Sequence, residues 1–290
     1  MIDAGFTCPN RDGGKGVGGC TFCDVAGSGS SLIVNGLSVQ EQVHHAIEQM
    51  QRQHVKKFIA YFQAFTNTYA PVEKLRELYS AAIDHPDIVG LSIGTRPDCL
   101  SEAVLDLLQE FQQKTKVWIE YGLQSRHNAT LQRLNRGHTA EEFEDSVLRT
   151  KERGLPVTAH LILGLPHETA EMMMESAQLI IDLNPHGIKI HNLYLEEGMA
   201  MTEEWRRGEF QMMEKKDYIK LVCDILEKLP PEMIVERLCG EPDPRRAVAP
   251  DWALHKAPLL QEIEQELERR NSWQGKCYTV TPHRVEEVVG

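Results

Sequence analysis

The chain of 290 residues sets 31 Lys and Arg against 43 Asp and Glu, a formal charge of −12, with 41% hydrophobic and 26% charged residues. This is the composition of a soluble globular protein with a sizeable core, not of a disordered chain, and its acidic balance gives little non-specific affinity for nucleic acid, so such a partner has to be met by a local basic surface. No window approaches the roughly 18 consecutive apolar residues of a membrane span, and MIDAGFTCPNRDGG lacks a basic-then-apolar signal segment, which makes the cytoplasm the expected location and leaves no membrane partner.

In chain order, Ile2 to Gly5 is at most a short strand. A helix runs from about Val39 to Val55, opened by the capping-box pair Ser38 and Glu41, with Val43, Ile47 and Met50 on one face. Phe58 to Phe62 reads as a strand, Pro71 starts a helix carrying Leu75, Leu78 and Ala82, and Ile88 to Ile93 is the next strand. Ser101 opens another helix, Val117 to Tyr121 is a strand, and Thr139 with Glu142 caps a helix ending at Gly154. Pro156 to Leu163 (strand), Met172 to Ile181 (helix) and Ile188 to Ile190 (strand) complete a β-α alternation that implies a parallel sheet wrapped by helices. Handedness makes such a chain either a doubly wound sheet or an open or closed barrel. After Glu196 the rhythm changes to helices around Thr202 to Arg207 and Glu214 to Leu229, a short strand near Ile234, and a helix from about Leu254 to Arg270. The expected organisation is a core over residues 1–195 and a C-terminal extension over 196–290 packed on it.

Seven cysteines in a chain without an export signal argue against a disulfide framework. Three of them, Cys8, Cys20 and Cys23, are spaced C-x11-C-x2-C around a loop containing Gly13, Gly14, Gly16, Gly18 and Gly19. A structural zinc site needs a fourth ligand, and none stands at a finger spacing. An iron–sulfur cube held by three cysteines leaves one iron open to a substrate or cofactor, and glycines let backbone N–H groups approach the anionic cluster. Zinc and buried, chemically silent thiols remain the alternatives. Cys99, Cys223, Cys239 and Cys277 lack cluster spacing and read as structural; His160, His167, His186 and His191 lack paired spacing and read as isolated, satisfied histidines.

The segments DAGFTCPNRDGGKGVGGCTFC, YFQAFTNTYAP, TRPDCL, YGLQSRHNATLQRLNRGHT, LILGLP, RLCGE and PDW resemble the radical S-adenosylmethionine (SAM) enzymes of the YhcC/YtqA type over nearly the whole chain. That group is similar to the catalytic elongator subunit and, more remotely, to oxygen-independent coproporphyrinogen oxidase. The resemblance implies an α/β fold, a partial (β/α)6 TIM-like barrel with a C-terminal helical extension. It implies a 4Fe–4S cluster on Cys8, Cys20 and Cys23 whose fourth iron chelates SAM, and reductive cleavage of SAM to a 5′-deoxyadenosyl radical. Phe22 would lie near the adenine, Gln124 would bond the ribose or methionine portion, and Arg136 would pair with the methionine carboxylate. Gln63, Thr66 and Asn67 stand where related enzymes carry a Gly-Gly pair that meets the methionine ammonium, which puts Gln63 among the expected cofactor contacts. Gly94 stands where relatives have an acid for the ribose, leaving Asp98 or Glu120 as substitutes. No residue is assigned to the catalytic step itself.

The elongator-like affinity points to the wobble uridine of tRNA and to conversion of a carboxymethylaminomethyl group at C5 into aminomethyl, with a low-potential donor such as flavodoxin or ferredoxin. Lys56-Lys57, Arg126, Arg133, Arg136, Arg206-Arg207, Lys215-Lys216 and Arg245-Arg246 are the basic residues available to face an RNA. A radical enzyme with another substrate and a zinc-containing RNA-binding adaptor are the competing readings. Only seven residues precede Cys8, which reads as a shortened first strand and an anchor for the cysteine loop on one side alone.

Overall fold

Apolar runs become parallel strands and the amphipathic stretches between them become covering helices. The computed structural model describes residues 1–24, 27, 36–51 and 54–279. In chain order it contains α1 (Val39–Gln51), β1 (Phe58–Phe62), α2 (Val72–Ile83), β2 (Ile88–Thr95), α3 (Glu102–Gln112), β3 (Lys116–Gln124), α4 (Asn128–Arg133), α5 (Ala140–Glu152), β4 (Val157–Leu163), α6 (Ala170–Leu183) and β5 (Gly187–Asn192). There follow β6 (Leu195–Glu196), α7 (Ala200–Arg206), α8 (Lys215–Leu226), β7 (Ile234–Arg237), β8 (Ala247–Ala249) and α9 (Lys256–Arg269).

Among the described residues, six strands form one parallel sheet in the order β1-β2-β3-β4-β5-β7, a partial barrel of the TIM type. The helix-covered face of the central strands is apolar and fully buried: Leu91, Ile119, Tyr121, Ala159, Leu161, Ile188 and Ile190 are 0% exposed, whereas the opposite face, toward the barrel interior, carries Ser92, Glu120, His160 and Lys189. The capping boxes form as the sequence indicates. The Thr139 hydroxyl accepts from the Glu142 amide at 3.2 Å and the Glu142 carboxylate accepts from the Thr139 amide at 2.8 Å, with the same reciprocal pair at Ser38 and Glu41.

Four features depart from the sequence reading. Helix α1 reaches Gln51 and His54 is already left-handed (φ 64°), so it does not extend to Val55; residues 52 and 53 lie outside the described residues. Helix α4 was not expected, being too short and too polar for periodicity to register. Ile2 to Gly5 is reduced to a single parallel bridge between Ile2 and Phe62. The short strand near Ile234 is not confined to an added layer: β7 pairs with β5 and completes the sheet, Ile188 opposite Val235 and Lys189 opposite Arg237. The rest of the extension packs outside, α8 lying against α6 and α9. No helix among the described residues is long and apolar enough to cross a membrane.

Candidate active site

Residues 3–24 form neither strand nor helix, so backbone ladders do not fix the cysteine loop. Polar ties to distant residues fix it instead. The Asn10 amide donates to the Asn135 carbonyl; the Asn135 amide in turn donates to the Val17 and Gly19 carbonyls at 3.0 and 2.8 Å. Lys15 reaches Asp98 at 2.6 Å, and Asp98 is gripped by both Nε and Nη2 of Arg96, at 3.0 and 2.8 Å, with both side chains almost wholly buried. The remaining Arg96 nitrogen donates to the Arg136 carbonyl at 2.6 Å. From the C-terminal part, Arg246 holds Asp24 at 2.9 Å.

These ties place Cys8, Cys20 and Cys23 on the wall of a cavity of about 660 Å³ at the C-terminal ends of the strands, where barrels of this architecture carry their sites. Phe22, Gln63, Gln124 and Arg136 line the same cavity, so all seven residues singled out in the sequence meet there. Among the described residues, no three His, Cys, Asp or Glu side chains close around one point as a single metal ion requires. Cationic and amide donors already face the sulfurs: Arg11 Nη2 lies 3.3 Å from Cys23 Sγ, while Arg136 Nη1 and Asn10 Nδ2 each lie 3.7 Å from Cys20 Sγ. Such donors stabilise thiolate ligands and the anionic cluster they carry.

Arg136 is engaged differently from the expected fork around a carboxylate. Besides facing Cys20, it donates from Nε to His138 at 2.9 Å and from Nη2 to the Gly122 carbonyl at 3.1 Å, so each of its nitrogens already has a protein acceptor. Burial, then the neighbouring Arg136 charge, hold His138 neutral with its pKa pushed down to about 3, which leaves Nε2 free to accept that bond. Gln124 sits at a register irregularity at the end of β3 with φ of 70°, a left-handed conformation that costs a non-glycine residue about 1 kcal/mol or more and re-aims its side chain. Its Oε1 is buried without a partner, an acceptor awaiting a donor. Gly122 leaves room for both side chains, since a Cβ there would lie 2.4 Å from Gln124 Nε2 and 2.6 Å from Arg136 Nη2 and would displace them. Gln63 and Thr66 line the cavity, and Thr66 Oγ1 is a second buried acceptor without a partner, suited to an ammonium. Asn67 serves the turn instead, donating to the Phe62 and Gly94 carbonyls at 3.1 and 2.7 Å. Phe22 fills both roles considered for it: it packs on the apolar cluster around Leu134, Ile162 and Leu193 and also faces the cavity. Sulfur-facing donors and orphaned acceptors on one wall fit the expected cluster and cofactor.

Of the two acids considered for the ribose, Asp98 is committed to Arg96 and Lys15 and does not line the cavity, while Glu120 does. Glu120 centres a network the sequence did not disclose. It accepts from Tyr61 and His160, each at 2.8 Å, and from Ser92 and Lys189; Lys189 also lies 3.3 Å from Glu236. Burial opposes the Glu120 charge, but the His160 and Lys189 contacts outweigh it and hold the carboxyl well below the usual range. The reading of the histidines as isolated is corrected for two of them, since His160 and His191 stand with ring centroids 5.4 Å apart. The available signal was a charged residue inside each of two apolar strands, Glu120 in β3 and Lys189 in β5.

The other cysteines carry no visible chemistry: burial pushes the Cys99 and Cys223 thiols up to about 12 and about 11, away from the reactive thiolate. The basic pairs are not gathered into one face free of acids. Lys57, Arg206, Arg207, Lys215, Arg245 and Arg246 are each paired with a carboxylate, and Arg136 is inside the site. Arg126 and Arg133 are exposed.

Comparison with known proteins gives matches of the same character. The profile of the Radical SAM superfamily matches residues 8–180 and that of the Radical_SAM C-terminal domain residues 185–269. The protein YtqA of Bacillus subtilis is 43% identical over 290 residues, covering 99% of this chain and 88% of that one. A tRNA uridine(34) acetyltransferase of Methanocaldococcus infernus is 33% identical over 140 residues, 46% of this chain and 25% of the relative. The solved structure of Methanocaldococcus infernus Elp3 superposes with a TM-score of 0.70 at 21% identity, over 82% of this chain and 60% of that one, a likeness of fold.

Proposed function

Because this chain belongs to the radical SAM superfamily, as an enzyme of the YhcC/YtqA type, we propose that Cys8, Cys20 and Cys23 hold its 4Fe–4S cluster and that its substrate is the wobble uridine of tRNA. The modification is oxidative removal of the carboxymethyl group from a carboxymethylaminomethyl substituent at C5. Its methylene loses a hydrogen atom and an electron, water cleaves the resulting C=N bond, and aminomethyl is left with the two carbons released as glyoxylate. SAM serves as the oxidant and ends as 5′-deoxyadenosine and methionine. When bound, the cluster and SAM supply a radical that takes hydrogen from an unactivated carbon, a task for which acid and base side chains alone are poorly equipped.

The observation that carries this reading is the wall on which the three sulfurs, the donors Arg11 and Arg136, and the acceptors Gln124 and Thr66 lie together, with the buried Asn10 facing Cys20. Arg11 and Arg136 stabilise the thiolates, Gln124 accepts from the cofactor's hydroxyl or ammonium protons, Thr66 and Gln63 meet the ammonium, and Phe22 supplies an apolar face for adenine. Residues 1–195 carry this chemistry, and 196–290 help to close the cavity through Met199, Arg237 and Arg246. The likeness of nearly half the chain to a tRNA uridine(34) acetyltransferase supports the choice of substrate. The enzyme needs a reductant; a flavodoxin or ferredoxin fills that role, and a tRNA substrate sets the reaction in the cytoplasm.

The test is anaerobic reconstitution followed by incubation with SAM, a low-potential reductant and tRNA from cells lacking the gene. Formation of 5′-deoxyadenosine together with aminomethyluridine is expected, and Cys20→Ala is expected to lose iron and both products. Cleavage of SAM with unchanged tRNA nucleosides would remove the tRNA substrate; no cleavage would remove the cluster assignment.

A further inference from the structure

The cations lining the cavity differ in how they are neutralised. Lys189 is held by Glu120 and Glu236, Arg96 by Asp98, Arg245 by Asp243, and Arg246 by Asp24. Arg11 and Arg136 donate to cysteine sulfurs and backbone carbonyls. Arg237 lines the same cavity, and among the described residues its side chain makes neither a hydrogen bond nor an ion pair. It is not a surface residue that happens to be extended: it is half-buried at the C-terminal end of β7, and its Cα partner across the parallel ladder is Lys189 of β5. Directly paired residues of neighbouring strands point to the same face, so Arg237 faces the barrel interior beside the Glu120 network. His191, whose Nε2 is buried without a partner, lines the same wall.

A half-buried guanidinium without an acceptor is costly to hold unless a ligand brings the anion. The carboxylates nearby are already engaged: the Glu120 charge is shared among Lys189, His160, Tyr61 and Ser92, Glu236 is held by Lys189 and Thr158, and Glu241, which lines the same cavity, is paired with Lys256. We propose that Arg237 is a specificity-determining residue that binds the carboxylate of the substrate's carboxymethyl group as a two-pronged fork. This rests on the tRNA reading above and extends it. The fork recognises a planar carboxylate bidentately, and it anchors the part of the substituent that the reaction removes.

The experiment compares turnover of tRNA carrying carboxymethylaminomethyluridine with turnover of the same tRNA after methyl esterification of that carboxylate. Wild-type enzyme is expected to prefer the acid, and Arg237→Gln to lower kcat/KM for the acid about 100-fold while leaving the ester within a few-fold. Arg237→Lys, which keeps the charge and loses the fork, is expected to fall in between. Iron content and the Kd for SAM are measured on each variant and are expected to match wild type. An equal loss on acid and ester would mean that Arg237 meets an RNA phosphate or supports the fold, and a weakened SAM Kd that it meets the methionine carboxylate; either overturns the proposal, as does an acid preference that survives in both variants. If wild-type enzyme converts neither tRNA, the substrate reading fails and the inference falls with it, a result distinct from a converting wild type matched by its variant.

Discussion

The cysteine loop and the wall of the barrel are built on different principles. In the wall, from β1 to β5, alternate strand residues bury apolar side chains against the covering helices, and stability is spread over many interchangeable contacts. In the loop, residues 3–24 have no ladder and no helix, and their shape depends on turn-forming backbone bonds and on polar contacts to Asn135, Arg136, Arg246 and, through Asp98, Arg96. A wall of that kind tolerates exchange of similar side chains, whereas a loop of this kind relies on specific donors and acceptors that a similar-sized side chain does not replace. The contrast makes the loop the place where a single change should uncouple the site from the fold.

The largest effect is expected at Arg96. Replacing it with Leu leaves Asp98 buried with Lys15 alone and removes the donor to the Arg136 carbonyl, a loss of about 3–5 kcal/mol for breaking a buried pair. Chemical unfolding measures the cost, and iron retention after reconstitution reports the loop. Burial opposes the Asp98 charge, but Arg96 and then Lys15 outweigh it and hold the carboxyl below its ordinary range. A depressed carboxylate stabilises fully above its unfolded value of about 4 and loses that contribution as pH falls through the folded value. The wild type should therefore destabilise in acid more steeply than Arg96→Leu. An acid limb of equal slope in both proteins would show that the pair does not govern the loop.

How legible each region was follows from the same contrast. Periodicity and caps disclosed the wall almost element by element, since Ser38, Ser101 and Thr139 act within three residues of themselves. The cysteines announced the site through spacing and glycine content, and Gln124 through the resemblance. What holds them did not appear, because Asn10 meets Asn135 and Lys15 meets Asp98 across sequence separations that no local pattern encodes. Arg136 was legible as a site residue but not in its engagement: its acceptors are set by a bulge at Gly122 and a neutral His138. Strand β7 was legible as a short strand near Ile234, but its place at the edge of the main sheet beside β5 was not, because a pairing to a strand far earlier in the chain leaves no local pattern.

A smaller effect is expected at Arg11, whose Nη2 donates to Cys23 Sγ at 3.3 Å. A donor to a ligand sulfur favours the more anionic, reduced cluster, so Arg11→Leu should lower the reduction potential. A charge-assisted hydrogen bond worth about 1.5 kcal/mol corresponds to roughly 60 mV for one electron. A redox titration of the reconstituted protein followed by EPR reads it, with iron content as the control for ligation. A potential unmoved by the substitution, with iron content intact, would remove Arg11 from the set that tunes the site.

The smallest effect is expected at Cys223, and it tests the contrast from the side of the wall. Cys223 is 0% exposed on α8, its thiol pushed up to about 11 by burial and 3.7 Å from the Ile263 carbonyl of α9. It acts as a small apolar filler, so Cys223→Ala removes one buried atom and one weak donor, a cost of about 1 kcal/mol. Denaturant unfolding should shift by that amount while iron content and cluster potential stay as in the wild type, because no tie to the loop runs through α8. Loss of iron in this variant, at a stability cost no larger than expected, would mean that the helical layer and the cysteine loop are coupled through the sheet and that the two regions are not separately built.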